Sequence, residues 1–122
     1  MAGRTVLIID DENKLVADLE EKLTGLGNIL LTARDEAQGT MLAHREKTDL
    51  VVLGLNLSRH EGIKIMQDLA KSVDTMLIPV IFIGPDNPID ESEIMKLGAV
   101  AYFKRPFKTE ELLAEIKKHT GD

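Results

Sequence analysis

The chain has 122 residues, 43% of them hydrophobic and 30% charged, with no cysteine and a net charge of -6. That is one globular domain, residues 1–122, able to bury roughly two thirds of its unfolded surface without a disulfide or metal staple. Missing cysteines remove thiolate catalysis, zinc-thiolate sites and redox switching, the acidic balance argues against a broad nucleic-acid face, and no apolar run approaches the ~20 residues that span a bilayer.

The apolar pattern changes character five times, always in the same order. "TVLII", Thr5 to Ile9, is a short β-branched run without polar alternation, the mark of a strand covered on both faces. It stops at Asp10, Asp11 and Glu12, too early for a secretory signal, so a cytoplasmic setting is expected. A helix from about Asn13 to Leu26 follows, with Leu15, Val16, Leu19, Leu23 and Leu26 on one side and charged residues on the other; Gly25 and Gly27 end it. "NILLTA" is the second strand, and Asp35 can cap a helix through about Glu46 with Ala37, Met41 and Leu42 inward.

"DLVVL" is the third strand, and a helix with Ile63, Ile65, Met66 and Leu69 runs from Gly62 to Lys71. "LIPVIFI", Leu77 to Ile83, is the fourth, with Pro79 near its entry. Asn87 and Pro88 make an N-cap and first-turn proline for a helix that ends near Leu97 at Gly98. "VAYFK" is the fifth strand. Thr109 then caps "EELLAEIKKH", whose acids lie in the first turn and bases in the last, as the helix dipole favours. Five βα units imply right-handed crossovers and a parallel sheet with helices on both faces, an α/β/α arrangement whose sites lie at the carboxyl ends of the strands.

Those ends carry Asp10, Asp11 and Glu12, then Gly54 and Asn56, then Gly84, and finally Lys104, Arg105 and Pro106. On the stretches "VLIIDDE", "DLVVLGLNLSRHEG", "IPVIFIG" and "AYFKRPF", the chain resembles the response-regulator receiver domain of two-component signalling over essentially its full length. The resemblance implies a flavodoxin-like, doubly wound (βα)5 fold with strand order 2-1-3-4-5. In that family a carboxylate after the third strand accepts a phosphoryl group, the acidic pair holds magnesium, the fourth strand ends in a hydroxyl and a lysine follows the fifth. Such an aspartyl nucleophile beside a divalent cation, with donors aimed at the phosphoryl oxygens, is sound phosphotransfer chemistry.

Carried over by position, the resemblance puts the acceptor at Gly54, the hydroxyl at Gly84 and the lysine at Arg105, so three working groups are absent or altered. Asp49 cannot stand in for the acceptor, because five residues of strand place it roughly 16 Å away at about 3.3 Å per residue. The expectation is a pseudo-receiver: not an enzyme, without a resident cofactor, and with Asp10 and Asp11 left as a weak or vestigial magnesium site, since magnesium needs a near-octahedral oxygen set. Otherwise Asp11 is a helix cap and Asp10 is solvated.

Arg105 can pair with Asp10 or Asp11 through its guanidinium fork, or lie on the surface. Tyr102 occupies the family's aromatic switch position, and the Arg105 to Pro106 bond matches its cis step. A small water-filled hollow is expected over Gly54 and Gly84. His44, His60 and His119 are read as surface residues, and Met41, Met66, Met76 and Met95 as core filling. Partners, on the resemblance, are signalling proteins or a second copy in a homodimer. They would dock on the face of the fourth helix, fifth strand and fifth helix, about Asn87 to Leu97, Val100 to Lys104 and Thr109 to His119. Two alternatives are a flavodoxin-like binder of a nucleotide or other small molecule, which the carboxylates of "DDENK" oppose, and a regulatory fragment of a larger DNA-binding or enzymatic regulator.

Overall fold

The computed structural model describes residues 3–10, 13–54 and 59–121. Strands β1 (Thr5–Ile9), β2 (Ile29–Ala33), β3 (Leu50–Leu53), β4 (Val80–Gly84) and β5 (Ala101–Lys104) alternate with helices α1 (Asn13–Gly25), α2 (Glu36–Arg45), α3 (Arg59–Lys71), α4 (Pro88–Lys96) and α5 (Thr109–Thr120). All strand pairings are parallel, in the order β2-β1-β3-β4-β5. This is the flavodoxin-like fold that the alternation and the resemblance led us to expect.

Strand alternation divides one sheet between two cores. Leu7, Ile9, Val51, Leu53, Val80 and Phe82 face α2, α3 and α4, where they meet Ala43, Ile65, Met66, Leu69 and Ile94. Val6, Ile8, Leu50, Val52, Ile81 and Ile83 face α1 and α5, meeting Leu15, Leu19, Leu23, Leu112 and Ile116. The central strands β1, β3 and β4 are therefore buried on both sides, which is why their sequences show no polar alternation.

Several expectations are corrected. The β4 ladder starts at Val80, because Ile78 is still turned back on the Thr75 carbonyl and Leu77 is exposed. Helix α3 begins at Arg59, ahead of Gly62. Thr109 lies inside α5, whose N-cap is Lys108 without a side-chain cap bond. The inward face of α2 is Gly39 and Ala43 with Leu42 half-buried, while Ala37 and Met41 point outward. At Gly39, Ile9 comes so close that a Cβ would lie 2.6 Å from its Cδ1, so helix and sheet approach over a bare backbone. Of the methionines read as core, Met66 is buried, whereas Met41, Met76 and Met95 are exposed. The Asp35 cap is as expected, accepting from the Gln38 N–H at 2.8 Å.

His44 is an ion-pair hub on the surface. Its Nε2 lies 2.9 Å from Asp68 of α3 and its Nδ1 3.4 Å from Asp74. The Asp68 hydrogen bond raises the imidazole pKa above 6.5, burial opposes the rise, and Asp74 adds to it. A raised pKa in the folded state gives stability that is complete below the unfolded value and fades as pH climbs through the folded one. Relative to His44→Gln, the wild type should gain about 0.5 kcal/mol in urea denaturation at pH values below the 6.5 of a free imidazole, a margin that shrinks as pH rises above it.

Candidate functional site

The parallel register brings four strand ends to one edge. Asp10 follows β1 and is tied by its N–H to the Ala33 carbonyl at 2.9 Å; Gly54 follows β3, its N–H bonded to the Ile9 carbonyl at 2.8 Å. Because β1 and β3 are neighbours with Ile9 opposite Leu53, Asp10 and Gly54 stand side by side. Arg105 follows β5, its N–H donating to the Gly84 carbonyl at 3.1 Å, and its bond to Pro106 is cis. Asp49 sits at the far end of β3, accepting from the Thr5 N–H at 2.8 Å and pairing with Arg4 at 3.6 Å, so it takes no part here.

The expected hollow is not found. A Cβ built on Gly54 overlaps the Asp10 carboxylate and lies 2.8 Å from the Asp10 Cβ. The Asp10 side chain, fully buried, thus fills the volume a residue at 54 would claim. Arg105 Nη2 approaches Asp10 Oδ2 to 4.0 Å with the arginine side chain only 34% exposed. Neither the solvated Asp10 nor the surface arginine is realised. A buried carboxylate is costly without a countercharge, and the guanidinium supplies one from within the chain. Asp11, Glu12 and Asn56 lie outside the described residues, as does the side chain of His60.

Gly84 is filled in the same way, by Tyr102. A Cβ there would overlap the phenol oxygen and sit 2.9 Å from Cε2. The ring stacks on Phe82 at 5.7 Å and 10°, and its hydroxyl donates to the Pro85 carbonyl at 2.9 Å. Burial, then Asp90, Glu91 and Asp86, push the phenol pKa up to about 12. Lys104 Nζ balances that acidic group from 3.8 Å at both Asp86 and Glu91. Phe103 and Phe107 pack edge to face at 6.0 Å on the opposite core. The occupants of the two glycine spaces escaped sequence reasoning, although a glycine at the end of each of two neighbouring buried strands was the available signal.

With this geometry in place, the chain belongs to the response regulator receiver domain family, which it matches over residues 6–117. It is a receiver domain of two-component signalling. Among curated relatives, it is 30% identical to the alkaline phosphatase synthesis transcriptional regulatory protein PhoP of Bacillus subtilis, over 94% of this chain and 48% of that protein. The chain spans 43% to 48% of the length of the curated relatives it matches. In fold it resembles the chemotaxis response regulator CheY4 of Vibrio cholerae, with a TM-score of 0.84 and 19% identity over 96% of this chain and 98% of that one. It also resembles the receiver domain of the sensor histidine kinase PA1611 of Pseudomonas aeruginosa, with a TM-score of 0.82 and 21% identity over 99% and 100% of the two chains.

The PA1611 domain was solved with a magnesium ion coordinated in its active site cleft. The described residues of the present chain do not fit that ion. Gly54 offers no ligand, the Asp10 carboxylate lies in the space above it, and the charge facing Asp10 Oδ2 is a guanidinium. Among the described residues, no three His, Asp or Glu side chains are grouped to hold a metal. None of the described helices is long and apolar enough to cross a membrane.

Proposed function

We propose that residues 1–122 form one pseudo-receiver domain that relays signals by docking proteins without aspartyl phosphorylation. The observation that carries this reading is the Asp10 carboxylate seated over Gly54, with Arg105 as its countercharge. Gly54 holds the acceptor position of the family and has no oxygen to attack phosphorus. Gly84 and Arg105 replace the hydroxyl and the lysine. Asp10 and Asp11 are then a vestige of a metal site, with the described one committed to an internal contact.

On this reading the domain is not itself an enzyme and works in the cytoplasm. Its docking face is α4, β5 and α5, on which Met95 of α4 and Val100 at the entry to β5 are exposed, with Tyr102 within β5 and the Arg105 to Pro106 step after its far end. Signalling proteins or a second copy of the chain are the partners. A second reading, the receiver part of a longer transcriptional regulator, draws on relatives such as PhoP, of which the matched region is less than half; DNA contact would then fall to another segment.

Calorimetric titration with fluoroberyllate, a phosphoryl mimic, in magnesium is the test. No saturable heat is expected, and the same titration of the Gly54→Ala variant should be equally silent. A stoichiometric binding isotherm for the wild type would overturn the proposal.

A further inference from the structure

Tyr102 is the single tyrosine of a chain with no tryptophan, and three independent contacts hold it. Its phenol lies in the volume a side chain at Gly84 would need, so the glycine admits the ring. Its face lies against Phe82, the residue opposite it in the β4–β5 ladder. Its hydroxyl donates to the Pro85 carbonyl, which also accepts from the Asn87 N–H at 2.8 Å. Asn87 in turn opens α4, its carbonyl accepting from the Glu91 N–H at 3.0 Å. Lys104, two residues along β5, reaches Asp86 and Glu91 from the same side.

We infer that Tyr102 is a fixed strut, seated over Gly84, that holds the β4–α4 connection and the first turn of α4 in one arrangement, so that the α4–β5 surface is presented ready formed. The strut couples strand to loop with no group at the end of β4 to pull or release it. Its use for docking rests on the proposed function above, whereas the seat of the ring does not.

Proton NMR tests both parts on the intact chain. In the wild type, the Tyr102 ring protons should show strong Overhauser contacts to the Gly84 α protons, and the residues from 86 to 91 other than Pro88 should give one set of amide peaks. Gly84→Ala should lose those contacts and shift the 86–91 amides, because the phenol is the far end of a side chain that can swing away. Tyr102→Phe keeps the ring and removes only the hydroxyl. It should speed amide exchange at Asn87 and Glu91 about fivefold, the worth of one ordinary hydrogen bond, and it serves if the alanine variant does not fold. Absent ring contacts to Gly84 in the wild type, or exchange unchanged in Tyr102→Phe, would overturn the strut and leave the phosphate-free reading standing. Movement of the ring on adding magnesium and fluoroberyllate would overturn both.

Discussion

Gly54→Asp, which returns a carboxylate to the end of β3, is expected to destabilise the domain by about 1–3 kcal/mol, the range for overpacking a filled interior. The cause is local. The new Cβ would stand 2.8 Å from the Asp10 Cβ, so turning the Asp10 carboxylate aside cannot relieve the contact and backbone must shift. A second negative charge beside a buried one adds to the cost. Gly54→Ala separates the two effects, since it carries the steric part alone and should lose less. Urea denaturation of the three proteins measures the difference. Equal or greater stability in Gly54→Asp would mean that Asp10 does not fill that space.

Arg105→Ala is expected to lose about 1–2 kcal/mol. A fully buried ion pair broken on one side costs about 3–5 kcal/mol, and the smaller figure reflects a guanidinium one third exposed and 4.0 Å from its partner. Removing the arginine leaves the Asp10 carboxylate buried without the guanidinium that faces it in the wild type. Asp10→Asn in the same background should therefore restore part of the loss, a coupling that a double-mutant cycle reads directly. Strict additivity of the two substitutions, or no loss in Arg105→Ala, would show that the guanidinium is not the countercharge of this pocket.

The architecture was legible because burial on two faces leaves a different trace from burial on one. "TVLII" and "LVVL" carry no polar alternation, and the helices between them do, so the order of strands and helices followed from period alone. Element ends were less legible. Leu77 and Ile78 have strand-forming side chains but belong to the turn before Pro79, and Met41, Met76 and Met95 are apolar residues that the fold leaves outside. Thr109 has the chemistry of a cap, yet the helix starts one residue earlier in register than that role requires.

At the site, the strand-end residues and a pairing of Arg105 with Asp10 were legible, and the occupants of the two glycine spaces were not. A glycine in a sequence reads as a missing side chain, and the natural expectation is empty space. Which neighbour enters that space depends on the register across the sheet: Asp10 from β1 at Gly54, and Tyr102 from β5 at Gly84. Neither is adjacent in sequence to the glycine it covers. The Arg105 contact with Asp10, one of the two readings open for that arginine, joins the ends of two strands that are not neighbours in the sheet, and opposite charge was the signal for it.

Intact-protein mass after incubation with a small phosphodonor and magnesium is the most direct measurement. A domain whose central strand ends in glycine should emerge with its mass unchanged, in the same conditions that load an aspartate-bearing receiver run alongside. A single phosphoryl increment, lost in mild acid or base and mapped to an aspartate, would contradict the account.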